Sequence, residues 1–162
     1  MADTTYASFR RVLAHVPTPV VVVAAFDDAP IGLAVGSFTS ISLDPPLVGF
    51  FVDHRSSTWP RVARAGGFTV NVLADSQEEL GRRFGTKGAD RFAGVSWRAG
   101  RAGAPLLDGA LAWIECELEE VIETGDHQLV MGAVRRLEAR DGASPLVFHR
   151  SGFARLETEQ ER

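Results

Sequence analysis

The sequence predicts a mainly β fold, an antiparallel barrel of Greek-key type with few helices, and three observations point there. Apolar runs of strand length, Val20 to Phe26 and Leu47 to Val52, and alternating ones, Phe68 to Leu73 and Leu111 to Ile122, recur along the 162 residues. Short reversals rich in Gly, Pro and Asp separate them, as hairpins require and the long crossovers of a βαβ sheet do not. Helical periodicity is confined to brief pieces, so about seven or eight strands in hairpin order close on one another.

The elements follow in order. Phe9, Val12, Leu13 and Val16 fall at i, i+3, i+4 and i+7, an amphipathic helix opened by Asp3 or the Thr4–Thr5 pair and ended before Pro17. Pro19 leads into the Val-rich strand, the turn Asp27 to Pro30 reverses it, and Ile31 to Phe38 returns as the second arm of a hairpin. Leu47 to Val52 is a third strand. In Ser57-Thr58-Trp59-Pro60 a capping residue and a first-turn proline announce a short helix, closed by Gly66 and Gly67. Phe68 to Leu73 alternates as a strand. Asp75 or Ser76 then caps a helix through Leu80 and Phe84, with Glu79 completing a capping box with Ser76.

Residues 94–109 carry Gly, Ala and Pro without a period and read as an irregular connection. From Leu111 to Ile122, Ala112, Ile114, Cys116 and Leu118 face one side, while Glu115, Glu117 and Glu119 face the other. That acidic row, with Glu120, reads as a solvated face. Gly125 and Asp126 turn the chain into Gln128 to Leu137, and Pro145 to His149 with Phe153 to Leu156 supply the last pair.

Composition narrows the function classes. The length and 45% hydrophobic content suit one domain spanning residues 1–162. A net charge of −4 and scattered arginines argue against nucleic acid as a partner. Cys116 stands alone, so no internal disulfide forms, and the N-terminus lacks the pattern of a signal peptide. No apolar run approaches the roughly 20 residues of a membrane span, so the expected location is cytoplasmic, without a membrane partner. There is no G-x-G-x-x-G, P-loop, G-x-S-x-G, C-x-x-C or H-E-x-x-H, which argues against a Rossmann enzyme and the common hydrolases.

Three stretches stand out as candidate sites. Gly32 to Ser42 places Gly36, Ser37, Thr39, Ser40 and Ser42 where an ordinary strand uses bulky residues. Small side chains let a flat ligand approach the backbone, whose N–H groups then meet a heterocycle's edge; a bulged strand and its turn give the same pattern. His54, Arg55, Ser56, Ser57 and Thr58 precede a helix, where an anion fits and where plain capping fits too. In ETGDHQLVMG, His127 follows a tight turn that aims it at a pocket or leaves it exposed. Cys116 on its alternating strand reads as a small buried hydrophobe, and Asp126, His127 and His149 lack the spacing of a metal cluster, so no metal is expected.

At these residues the sequence resembles the flavin reductase family, the reductase components of two-component flavin-dependent monooxygenases. The likeness runs from FRRVLAHVPTPVVVVAA through SFTSISLDPPLVGF, GFTVNVLADSQEELGRRFG, DRFAG and GDHQLVMGAV to PLVFHRSGFARL. It implies a mainly β, antiparallel split β-barrel of Greek-key type with a few short helices, a homodimer with the flavin near the subunit interface, and FMN or FAD as cofactor with NADH or NADPH as co-substrate. Carried over, Ala34, Val35, Gly36 and Ser37 lie along the isoalloxazine ring, with Ser40, Ile41 and Ser42 close by. Asp53, His54, Ser57 and Thr58 match the loop holding the ribityl phosphate, and Phe84 and Gly85 a further flavin-contacting turn. His127 matches the histidine associated with the nicotinamide, and His149, Arg150, Ser151 and Gly152 the segment near the pyridine nucleotide. Many members carry Thr in place of Ala34 and Ser in place of Gly36; either backbone N–H groups take over those contacts or the flavin is held more weakly.

The implied enzyme is an NAD(P)H-dependent flavin reductase. Hydride transfer between stacked rings about 3 to 3.5 Å apart needs no acid, base or nucleophile from the protein, in keeping with the missing catalytic motifs. The chain is too short for an oxygenase domain, so reduced flavin is expected to diffuse to a separate monooxygenase. Two other readings use the same barrel: a non-catalytic flavin- or haem-binding protein, with His54, His127 or His149 as axial ligand, and a pyridoxamine-phosphate-oxidase-like enzyme, for which the basic pocket signals are missing.

Overall fold

A computed structural model describes residues 4–88 and 90–157. Thr5 caps helix α1 (Tyr6–Leu13), its Oγ1 accepting the Ser8 N–H at 3.3 Å. After β1 (Thr18–Pro19) come β2 (Val21–Asp27), β3 (Ala29–Val35), β4 (Thr39–Leu43) and β5 (Pro46–Asp53). Helix α2 (Trp59–Ala65) ends on Gly66, whose φ of 75° only glycine adopts freely. Strand β6 (Gly67–Val72), helix α3 (Glu78–Phe84), β7 (Trp97–Ala99), β8 (Pro105–Leu107), β9 (Ala112–Thr124), β10 (His127–Ala139), β11 (Leu146–His149) and β12 (Gly152–Arg155) complete the chain.

Seven strands form one antiparallel sheet in the order β3-β2-β6-β9-β10-β5-β4. Of the three hairpins, β2/β3 and β9/β10 are joined by β6, which lies between β2 and β9, and β4/β5 joins through the pairing of β5 with β10. The ladder does not close: β3 and β4, consecutive in the chain, are its two edges. The barrel is therefore split, as the resemblance implies, and the strand expected over Ile31 to Phe38 breaks at Gly36. Residue Ser37 explains the break. Its Oγ accepts the Phe51 N–H at 2.8 Å and donates to the Phe51 carbonyl at 3.3 Å, taking the place of a ladder partner beyond the last β4 pair, Thr39 with Gly49.

The continuous Val run of β2 is buried on both faces. Val21, Val23 and Ala25 point into the barrel with Phe50, Phe68, Trp59 and Val62, where Phe50 meets Phe68 edge-on at 5.6 Å. Val20, Val22 and Ala24 point outward under a second layer of Phe84, Leu73, Leu107 and Leu146. A strand covered on both sides has no reason to alternate.

Two expectations are corrected. The capping box of Ser76 with Glu79 does not form, because Ala74 bridges to Pro145 and carries the extended backbone past the end of β6. The Gln77 side chain accepts the Ala74 N–H at 3.0 Å instead, and Glu79 pairs with Arg83 at 3.0 Å. Glu115 is not solvated: it is 4% exposed, because β7, β8 and the turn between them cover the outer face of β9 at that point. Its carboxylate accepts the Arg101 N–H at 2.7 Å and lies 3.7 Å from Arg136.

One buried side chain ties the layers together. Asn71, wholly buried on β6, donates to the Val22 and Pro105 carbonyls at 3.1 and 3.2 Å and accepts the Leu107 N–H at 2.8 Å. Asn71→Leu strands three backbone groups in a dry layer, and urea unfolding is expected to show a loss of about 3 kcal/mol or more. A loss below about 1 kcal/mol would show that this layer does not depend on the amide.

Candidate flavin groove

The split leaves a groove of about 370 Å³ along the β3 edge, inside the range of roughly 300 to 1,000 Å³ typical of small-molecule sites. Ala34, Val35, Gly36 and Ser37 form one wall, Asp53, Ser57 and Thr58 another, and Gly85 closes an end beside Ala34. Phe84 lies beneath, 1% exposed, as a floor packed edge-on against Phe92 at 5.0 Å. Nine of the residues singled out from sequence thus line one groove.

The ledge offers backbone rather than hydroxyls, since the Ser37 Oγ is spent on Phe51. At Gly36, Thr18 is the reason for the missing side chain: an added Cβ would stand 3.0 Å from the Thr18 Oγ1. A hydroxyl from β1 therefore crowds the place that a side chain at position 36 would take.

Other candidates lie elsewhere. Ser40, Ile41 and Ser42 sit on β4 outside the groove, with Ile41 in a bulge where the register to β5 shifts. His54 turns away, its N–H on the Asp126 carbonyl at 3.1 Å and its Nε2 2.6 Å from Glu123. His127 stands opposite Asp53 in the β10–β5 register, its Nδ1 2.7 Å from Asp126, at the rim rather than in the groove. His149, Arg150 and Ser151 line a separate cavity of about 630 Å³ beneath α1, while Gly152 closes their turn. Arg150 and Ser151 adopt φ of 52° and 66°, and the Arg150 N–H bonds the Ala14 carbonyl at 3.0 Å. A groove of about 300 Å³ lined by Ala34, Gly36, Thr18 and Phe148 lies between that cavity and the ledge.

Charge in the groove is uneven. Arg55 holds the Asp53 carboxyl far below the usual carboxylate range by a two-point side-chain contact and its own N–H. Arg91 is different. It donates to the Gly32 carbonyl at 2.8 Å, the Thr86 carbonyl at 3.1 Å and the Thr58 Oγ1 at 3.3 Å, yet it pairs with no carboxylate among the described residues. Burial lowers its pKa from the ordinary guanidinium value, though a guanidinium stays charged. Lys87 lines the same end. Sequence reasoning missed both; the signal was the chain's one lysine in the Gly-flanked loop TKGADRF. A cation half out of water with no counter-ion favours an anionic ligand.

Among the described residues no group of three His, Cys, Asp or Glu side chains is placed to hold a metal, and no helix is long and apolar enough to cross a membrane.

The sequence profile of the flavin reductase like domain matches residues 13–157. The chain belongs to the flavin reductase-like family. It is 48% identical over 147 residues to a flavin reductase of Pseudomonas putida, covering 90% of this chain and 86% of that protein. It is 39% identical over 156 residues to the reductase subunit HsaB of a flavin-dependent monooxygenase from Mycobacterium tuberculosis, covering 94% and 83%. Among solved structures, the NADH:FAD oxidoreductase SgcE6 of Streptomyces globisporus, in complex with NAD and FAD fragments, superposes with a TM-score of 0.93 at 33% identity, covering 99% of both chains.

Cys116 takes no part in the groove of this flavin reductase-like chain. Burial, with the Glu115 charge beside it, pushes its thiol up to about 12. A thiol reagent at mildly alkaline pH is expected to leave Cys116 unlabelled in the folded protein and to label it fully in denaturant. Rapid labelling of the folded chain would contradict this burial.

Proposed function

We propose that the groove between the sheet edges is the flavin seat, with its phosphate end at Lys87 and Arg91. The chain is an NAD(P)H-dependent flavin reductase of FMN or FAD. Its reduced flavin serves a separate monooxygenase. The observation that carries the placement is Arg91, a half-buried cation without a carboxylate among the described residues, at the end of a ledge of small side chains.

When bound, flavin supplies the acceptor for the nicotinamide hydride. The chain's own work is then positional. Ala34 to Ser37 let the ring approach the backbone and present N–H groups to its polar edge, where negative charge builds up. Ser57, Thr58, Lys87 and Arg91 hold the ribityl phosphate. His127, braced by Asp126, orients the nicotinamide at the rim, and His149 to Gly152 receive the rest of the dinucleotide. His54 steadies the phosphate loop, while Ser40, Ile41 and Ser42, on β4 outside the groove, take no part in seating the ring.

We further propose a single domain over residues 1–162 that acts as a homodimer in the cytoplasm and releases reduced flavin by diffusion. Two apolar surfaces support the dimer. Helix α1 buries none of its residues and exposes Phe9, Val12 and Leu13, and the outer faces of β5, β10 and β9 align Phe51, Leu129 and Ile122 in one cross-strand row next to the groove.

Arg91→Ala is expected to weaken FMN binding about tenfold, the worth of a charge-assisted hydrogen bond, and to leave riboflavin binding unchanged in fluorescence titrations. Equal loss for both flavins would move the phosphate elsewhere. His127→Ala is expected to lower NADH turnover about tenfold or more with flavin affinity retained. Unchanged turnover would remove the nicotinamide role.

A further inference from the structure

The chain carries a net charge of −4, yet its cavity of about 630 Å³ beneath α1 is lined by Arg10, Arg11 and Arg150, with His15 and His149 and, among the described residues, no carboxylate. Elsewhere arginines are spent on acids: Arg64 on Asp27, Arg83 on Glu79, Arg135 on Glu117. Here they are not. Arg10 donates to the Tyr6 hydroxyl at 3.5 Å and stands over its ring at 5.6 Å, and the Arg11 and Arg150 guanidinium groups meet no hydrogen-bonding or ionic partner among the described residues. Guanidinium groups gathered round one cavity without counter-ions favour an anion inside it.

This cavity is continuous with the approach to the ledge. Thr18 and Phe148 line both it and the groove of about 300 Å³ that borders Ala34 and Gly36. Arg150 follows Phe148 closely, in the β11–β12 turn, and its N–H on the Ala14 carbonyl at 3.0 Å pins that turn to the end of α1. Arg10 and Arg11 lie about one helical turn before Ala14. Positive charge is thus set in two places, at Arg150 beside the connecting groove and on the helix beyond it. A pyrophosphate needs only the first. The 2′,3′-diol of an unphosphorylated adenosine ribose would be met by a carboxylate accepting its hydroxyls, whereas a ribose 2′-phosphate calls for arginine.

We propose that α1 reads the 2′-phosphate of NADPH through Arg11, with Arg10 beside it, so that the chain uses NADPH in preference to NADH. The inference rests on the placing of the dinucleotide beneath α1 argued above. Arg150 holds the pyrophosphate that both nucleotides share, and Val16 and Phe148 give the adenine an apolar surface. Because α1 buries none of its residues, its arginines can be replaced without disturbing the core.

Two measurements on the full chain test this: steady-state reduction of FMN by each nicotinamide, and calorimetric titration with adenosine 2′,5′-bisphosphate and with 5′-AMP. The wild type is expected to show a kcat/KM about tenfold higher with NADPH and to bind the bisphosphate about tenfold more tightly than AMP, the worth of one charge-assisted hydrogen bond. Arg11→Ala should bring both ratios close to one. Arg150→Ala should raise KM for the two nucleotides alike and keep their ratio. Equal use of NADH and NADPH by the wild type, or a preference that survives Arg11→Ala, would overturn the reading of the 2′-phosphate. KM values left untouched for both nucleotides in Arg150→Ala would overturn the placing of the dinucleotide beneath α1 as well.

Discussion

The hydroxyl of Ser37 holds the seam of this barrel open. By taking both the N–H and the carbonyl of Phe51, it satisfies the edge of β5 where a continuing strand would have paired. Strands β3 and β4 are thereby released to opposite edges of the sheet although three residues join them. A closed barrel of the same strands would bury Ala34 to Gly36 in a ladder. The split presents them as a ledge, and the groove exists because of it.

The surroundings of the ledge divide the work between rigidity and charge. Below it, Phe84 and Phe92 form a dry floor on the outer face of β2, so the ledge has little freedom to sink. Beyond it, carboxylates and histidines fasten the β9–β10 turn to the end of β5. Glu123 is lowered by hydrogen bonds from Gln128 and His54, and Asp126 by its bond to His127. Each shift has the same sign: the folded chain favours the charged carboxylate, so the brace contributes above the ordinary carboxylate pKa and fades as acid protonates it. These groups are exposed, and solvent limits what each contributes. Arg91 and Lys87 remain as the positive charge for which the described chain offers no counter-ion, which is why the phosphate end is assigned there.

Much of this was legible in the sequence because periodicity reports burial directly. The hairpins around Asp28 and Gly125, the short helix after Thr58 and the last strand pair all announced themselves through turn residues and alternation. The closing of the barrel did not, because a strand edge differs from a strand interior by one hydroxyl bond to a residue fourteen positions away. Glu115 misled for a related reason: alternation tells which face a side chain takes, but the cover over that face comes from residues 97–107, which have no period of their own. The small-residue ledge and the Ser57–Thr58 loop were found by residue type. Arg91 was not, since nothing local marks a cation whose carboxylate is missing.

Amide chemical-shift mapping during an FMN titration tests the open seam most directly. The account predicts that the largest perturbations gather on Ala34 to Ser37, Ser57, Thr58, Gly85 and Arg91, along the groove at the β3 edge. Perturbations centred instead on the cavity beneath α1, with the ledge unmoved, would contradict it.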